Sequence, residues 1–205
     1  MANDKTDEFL AKIENMSRED LIELSNALHK VNDKLRKENG ELREKALTDS
    51  LTGLPNRRGL RGDIDGLTSD KESFSVVLGD IDNFKEINDT YGHDMGDRVL
   101  IEVGQILQAS VRGSDTAGRL GGDEFQMLLK NCDVDNAQVK VETIREKIED
   151  TVHIKFGLQE PVTMSFGIAF CNQEDCDYPT AKKRADVALY ESKVERNSVG
   201  IYKKH

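Results

Sequence analysis

The sequence predicts an α+β fold: a ferredoxin-like or palm-type antiparallel-rich sheet with flanking helices, preceded by an N-terminal α-helical coiled-coil segment. Three observations carry this. Residues 1 to 48 contain no proline and one glycine, Gly40, and are crowded with Glu, Lys, Asp, Arg and Leu. Strand-like and helix-like segments alternate after that point. A double glycine, Gly121-Gly122, separates two apolar runs as a tight reversal would.

In the first segment, residues 1–48, Leu21, Leu24, Leu28, Val31, Leu35 and Leu42 recur three and four apart, with Glu38 in the missing slot. That is a heptad seam, too narrow to be buried without a partner helix, and a parallel two-stranded coiled coil fits it better than folding back. Ser17 stands three residues ahead of Asp20, a helix-start capping arrangement. An earlier short helix is expected around Asp7 to Asn15, and Asn39-Gly40 weakens the end of the seam.

The second segment, residues 49–205, begins its sheet with "FSVVLG", a buried strand over Phe74 to Gly79 that delivers Asp80 and Asp82 to its carboxyl end. "NFKEIND" enters a helix. Val99, Leu100, Val103, Ile106, Leu107 and Val111 follow a helical period. "DTAGRL" and "EFQMLLK" flank the double glycine as a hairpin. Val134, Val141, Ile144, Ile148 and Val152 mark a further helix, Val162 to Phe170 a strand, Thr180 to Lys193 a helix, and Val199 to Tyr202 a closing strand. In this topology the first strand and the hairpin are central neighbours, so Asp80 lies close to Asp123 and Glu124 at the hairpin tip.

Composition removes several alternatives. With 39 acids against 29 bases the net charge is −10, which leaves no broad electrostatic footprint for nucleic acid. No apolar run approaches the ~20 residues that span a bilayer, so no membrane partner is expected. Cys132, Cys171 and Cys176 lack zinc-finger spacing and read as free thiols of a cytoplasmic protein.

Carboxylates converging from two strands, without nearby histidine or cysteine, suit a hard cation such as Mg²⁺ that bridges substrate phosphates. Gly121 and Gly122 let a ligand lie against bare backbone, and backbone amides at the start of "NFKEIND" suit a phosphate, with Lys85, Lys193 and Arg196 adding positive charge. Read from residues alone, this is a metal-dependent nucleotide phosphoryl or nucleotidyl transferase.

Four ordered blocks then resemble the GGDEF family of diguanylate cyclases: "DSLTGLPNRRGL" (Asp49 to Leu60), "GDIDNFKEINDTYGHDMGDRVL" (Gly79 to Leu100), "GGDEF" (Gly121 to Phe125) and "RADVALYESK" (Arg184 to Lys193). The resemblance implies condensation of two GTP into cyclic di-GMP and two pyrophosphates between two facing domains. It implies that Asp80, the carbonyl of Ile81, Asp123 and Glu124 hold Mg²⁺, with Mn²⁺ as a substitute. It gives Asp123 the further role of candidate base, and makes Glu124 and Lys85 part of the catalytic machinery. Asn88 and Asp97 would read guanine, while Asn83, Phe84 and Lys85, with Gly121, Gly122, Lys193 and Arg196, would bind the rest of the substrate.

The resemblance also makes "RGSD", Arg112 to Asp115, an R-x-x-D product-inhibition site for cyclic di-GMP. It implies a homodimer through the N-terminal helices, and those helices offer a surface for a regulatory protein. One departure stands out: "SKVERN" lacks the family's glycine after this lysine and is one residue shorter, which leaves the reach of Arg196 open. His93 reads as a capping or packing residue and Asp82 as a strand-end or metal-supporting acid. His29, His153 and His205 receive no role.

Overall fold

The computed structural model describes residues 16–70, 72–172 and 177–203. The chain divides into two compact units between Glu44 and Lys45. The expected helix over Asp7 to Asn15, and also His205, lie outside the described residues.

Helix α1 spans Arg18–Leu47 and has no buried residue. Its start is a reciprocal capping box: the Asp20 amide donates to Ser17 Oγ at 3.2 Å and the Ser17 amide to Asp20 Oδ2 at 3.3 Å. Asn39-Gly40 does not end it; thirty continuous residues absorb the cost of one mid-helix glycine. Leu28, Val31, Leu35 and Leu42 stand 50 to 64% exposed, an apolar seam without a covering partner among the described residues.

The second unit is built on a five-stranded sheet in the order β2-β3-β1-β4-β5. The strands are β1 (Phe74–Ile81), β2 (Thr116–Gly121), β3 (Glu124–Lys130), β4 (Met164–Cys171) and β5 (Val199–Ile201). All neighbours pair antiparallel except β4 and β5, which run parallel. The helices are α2 (Leu60–Asp70), α3 (Phe84–Tyr91), α4 (His93–Ser110), α5 (Val134–Phe156) and α6 (Tyr178–Ser192). Helix α2 was not expected from sequence, since its "LRGDIDGLTSD" interrupts a weak apolar period with two glycines.

Strand alternation sorts the core into two faces. Val77, Phe125, Met127, Phe166 and Ile168 pack under α4 and α5 with Val99, Val103, Val141, Ile144 and Ile148. Val76, Leu78, Leu128 and Ala169 pack on the other face with Leu60, Leu67, Ala181 and Ala185. By the same period-two rule Asp80 shares the second face with Val76 and Leu78, the face that α6 covers.

Helix α6 approaches the sheet unusually closely. A Cβ on Gly167 would stand 2.2 Å from both the Ala185 carbonyl oxygen and the Leu189 nitrogen, and one on Gly200 2.2 Å from the Ala188 carbonyl oxygen. Glycines on the strands and alanines on the helix therefore set the separation, and that separation brings Lys193, just past the helix, over the end of β1.

The cysteines correct one expectation. Cys132 is a half-buried free thiol, but Cys171 is disulfide-bonded, with its partner outside the described residues. Cys171 lies at the end of a buried strand, where spacing along the sequence gives no sign of pairing.

Candidate active site

The site forms where β1 ends beside the β2–β3 hairpin. Asp80 and Glu124 are direct partners in the β1–β3 ladder, and the Ile81 amide donates to the Asp123 carbonyl at 3.3 Å. The two acidic motifs, 43 residues apart between Asp80 and Asp123, thus become one cluster. The reversal needs its glycines: Gly121 has φ 138° and Gly122 φ 56°, angles hostile to a side chain.

Lys193, just past α6, offsets part of this negative charge. Its Nζ donates to the carboxylate of Asp80, to the Asp80 carbonyl at 3.3 Å and to Asp82 Oδ1 at 3.1 Å. Burial pushes the Asp80 carboxyl up, Lys193 pulls it down, and the neighbouring charges of Asp123 and Glu124 push it up again, the net shift being upward. Asp82 differs sharply. It is 5% exposed, and accepts from Thr163 Oγ1 at 2.9 Å, Ser165 Oγ at 2.8 Å and the Asn197 amide at 2.9 Å as well as from Lys193. Burial opposes its ionisation, but those donors, led by Asn197, prevail and hold it below the usual carboxylate range.

Among the described residues, no three acidic, histidine or cysteine side chains stand ready-arranged as a metal cage. The donor set nevertheless fits a hard cation: Asp80, Asp123 and Glu124 offer only oxygen, and the like charges around Asp80 are incompletely balanced by one lysine.

Next to the acids, Asn83 caps α3 in the left-handed conformation, φ 53°, without a side-chain cap bond. Among the described residues the Asn83 and Phe84 amides have no backbone acceptor, so they remain available at a helix N-terminus. Lys85 follows, exposed. One turn further along α3, Asn88 lies against α4: a Cβ on Gly96 would come 1.9 Å from Asn88 Oδ1. Gly96 directly precedes Asp97, so the chain packs the Asn88 amide against the backbone that presents an exposed carboxylate. A cleft of about 470 Å³, lined by Asp82, Asn83, Glu86, Ile87 and Glu149 among others, opens on another side of α3.

Comparison with known proteins matches residues 46–198 to the family described as diguanylate cyclase, GGDEF domain. The chain belongs to the GGDEF family. Diguanylate cyclase A of Treponema denticola is 42% identical over 134 residues, covering 65% of this chain and 36% of that protein. The probable diguanylate cyclase DgcC of Escherichia coli is 34% identical over 164 residues, 78% of this chain and 44% of that protein. The chain thus spans about half or less of these curated relatives.

Among solved structures, the coiled coil and GGDEF domain of DgcB from Caulobacter crescentus, in complex with c-di-GMP, superimposes with TM-score 0.76 at 28% identity, covering 87% of this chain and 96% of that one. The diguanylate cyclase SiaD from Pseudomonas aeruginosa, in complex with its activator SiaC, matches with TM-score 0.70 at 30% identity, covering 98% of this chain and 78% of that one.

Within this GGDEF domain the remaining sequence-predicted residues fall in two places. Arg112 is exposed, whereas the Asp115 carboxylate, only 4% exposed, accepts from the Lys130 amide at 3.2 Å and pairs with Lys140 at 3.2 Å. Arg196 is exposed with left-handed backbone, φ 56°, and makes no ion pair with Asp80, Asp123 or Glu124 among the described residues. His93 is the first residue of α4, and the His29 and His153 rings each contact a carbonyl one turn earlier in their own helices.

Several site residues escaped sequence reading. Arg119 donates from Nε and Nη2 to the Gly122 carbonyl at 3.0 and 2.7 Å and from Nη1 to Asp49 at 2.9 Å, so it ties the hairpin tip to the entry loop. Asp49 also accepts from the Thr52 amide and hydroxyl at 2.9 and 2.8 Å. Nothing in the spacing of "RLGGDEF" marks its arginine as a brace, because its partner lies in a distant loop. Asn197, Thr163 and Ser165 were hidden for the same reason.

Proposed function

We propose that this chain is a Mg²⁺-dependent diguanylate cyclase that joins two GTP molecules into cyclic di-GMP with release of two pyrophosphates. The observation that carries the reading is the ladder pairing of Asp80 with Glu124, beside Asp123 and beneath Lys193. Each 3′-hydroxyl oxygen forms a bond to the α-phosphorus of the other GTP. Each bond from that phosphorus to pyrophosphate breaks, and each hydroxyl proton passes to a base, for which Asp123 is the candidate.

Asn88 and Asp97 read the guanine edge, the amide supplying donor and acceptor and the carboxylate accepting from ring N–H and amino groups. The Asn83 and Phe84 amides and Lys85 hold the phosphates, and Lys193 and Arg196 add charge there. Gly121 and Gly122 leave room for the substrate against bare backbone. Asp80, the Ile81 carbonyl, Asp123 and Glu124 would hold Mg²⁺, or Mn²⁺ in its place. When bound, the ion supplies charge neutralisation for the triphosphate.

One domain presents one such half-site, so the reaction needs two copies. The exposed seam of α1 supports a homodimeric coiled coil that brings them together, and the likeness to a structure with a coiled coil agrees with it. The SiaD likeness supports an activator protein as a further partner. Cyclic di-GMP bound to relatives supports feedback through Arg112 and Asp115, and here product must compete with Lys140 for Asp115. GTP supply places the reaction in the cytoplasm. No described helix is long and apolar enough to cross a membrane.

The test is an endpoint assay with GTP and Mg²⁺, products identified by mass, beside Asp123→Ala. Cyclic di-GMP from the unmutated chain alone is the expected result. No turnover at high concentration, after removal of any bound cyclic di-GMP, would reduce the chain to a nucleotide-binding module.

A further inference from the structure

The turn after α6 follows Lys193 directly and contains no glycine. Instead Arg196 and Asn197 both adopt left-handed backbone, φ 56° and 42°, a conformation that side chains disfavour and asparagine tolerates best. Bonds from three directions fix it. The Arg196 amide donates to the Ser192 carbonyl at 2.9 Å, and the Asn197 amide donates to Asp82 Oδ2 at 2.9 Å. The Asn197 side-chain oxygen accepts from Arg145 Nη1 at 2.8 Å.

Arg145 is itself clamped on α5. It donates to Glu142 at 2.8 Å and to Glu149 at 2.9 Å, with its side chain 15% exposed. The Asn197 side chain is also the largest influence holding the Glu149 carboxyl down. The result is a continuous run of contacts from the outside of α5 to the acid cluster: Glu142 and Glu149, Arg145, Asn197, Asp82, Lys193, Asp80.

We propose that Asn197, braced by Arg145, is a positioning residue that fixes the left-handed turn and so delivers Lys193, through Asp82, to Asp80 and to the incoming triphosphate. Its consequence for substrate rests on the cyclase reading above. Its consequence for the turn does not. Arg145 and Asn197 touch no reacting atom; they act through Lys193.

The experiment uses the full chain with Asn197→Gly, which keeps a left-handed backbone but removes the side chain, and Arg145→Gln, which removes the guanidinium. Each is made alone and in a Lys193→Met background. Hydrogen exchange at the Asn197 amide reads the turn, and calorimetric binding of 3′-deoxy-GTP with Mg²⁺, which lacks the attacking hydroxyl, reads the site. We expect faster exchange in Arg145→Gln, and binding weakened roughly 2- to 10-fold in each single variant, the range of one lost hydrogen bond. We expect no further weakening when Lys193 is already methionine.

Unchanged exchange in Arg145→Gln overturns the brace. Weakening that adds in full to that of Lys193→Met overturns action through Lys193, and shows only a loosened fold. If the unmutated chain binds no 3′-deoxy-GTP, the cyclase reading fails, while the exchange measurement still decides the brace.

Discussion

Arg119 and Asp49 form a 2.9 Å ion pair across 70 residues of sequence, and the same guanidinium closes on the Gly122 carbonyl. Both side chains are mostly buried, 11% and 22% exposed, so this pair is not the solvent-screened kind that contributes little. Arg119→Ala should lower stability by about 1.5–3 kcal/mol, the range for hydrogen bonds to charged groups. Activity should fall beyond that, because the Gly121-Gly122-Asp123 reversal loses its only side-chain brace among the described residues. Thermal unfolding and turnover measured together check this; a full loss of stability with normal activity in the remaining folded fraction would contradict it.

Asp49 gives the pair a pH signature. Burial opposes its ionisation, but the Thr52 hydrogen bonds and Arg119 outweigh burial and lower its pKa from 3.8. A carboxyl depressed in the folded state contributes stability that is present above its unfolded value and lost as pH falls through its folded value. The unmutated chain should therefore lose stability more steeply below pH 3.8 than Asp49→Asn, while being the more stable of the two at pH 7. Denaturant melts at a series of pH values give the comparison. Parallel acid limbs would show that Asp49 carries no such linkage.

Gly96 offers a test of the guanine pocket proposed at Asn88 and Asp97 without touching substrate chemistry. An added Cβ meets Asn88 Oδ1 at 1.9 Å, and a side-chain amide moves more readily than backbone. Gly96→Ala should displace Asn88 and raise KM for GTP roughly tenfold, comparable to losing one or two hydrogen bonds, with kcat changed less. Equal losses in kcat and kcat/KM would place the damage elsewhere.

Gly167 has no such escape, because its Cβ would meet the α6 backbone itself at 2.2 Å. Gly167→Ala should cost about 1–3 kcal/mol as overpacking. It should also lift Lys193 from Asp80, which a lowered melting temperature together with weakened GTP binding would report.

The seam on α1 separates folding from assembly. Leu28→Asp with Leu35→Asp alters residues 58% and 50% exposed, so the fold of the GGDEF domain should be unaffected. Sedimentation should show monomer, and turnover should fall at least tenfold at low protein concentration and recover as concentration rises. Unchanged sedimentation would mean that the seam does not hold the copies together.

Periodic elements were legible in the sequence, as were residues whose types declare their chemistry. Phe74 to Gly79 and Val162 to Phe170 read as buried strands from their apolar runs, and the structure has strands over Phe74–Ile81 and Met164–Cys171. Asp80, Asp123 and Glu124 stood out because the expected topology sets the end of the first strand beside the hairpin tip. Helix α2 did not, since Gly62 and Gly66 mask its period and only packing of Leu60 and Leu67 on the sheet defines it. Arg119, Arg145 and Asn197 were unreadable for a different reason: each acts through a partner 52 to 70 residues away, and no local pattern encodes such a distance. The depth of Asp82, a buried four-donor acceptor rather than an ordinary strand-end acid, was likewise set by Thr163, just before β4, and Ser165 on β4.

The bonds of Lys193 to Asp80 and of Asn197 to Asp82 span 113 and 115 residues. Contacts of that span close late when a chain folds, because loop entropy is lost before they form. On a ribosome, the acid cluster would emerge well before the lysine that balances it. A newly made domain would therefore pass through an interval with its sheet started and its carboxylates mutually repelling, and gain the offsetting charge of Lys193 only as α6 docks on the sheet.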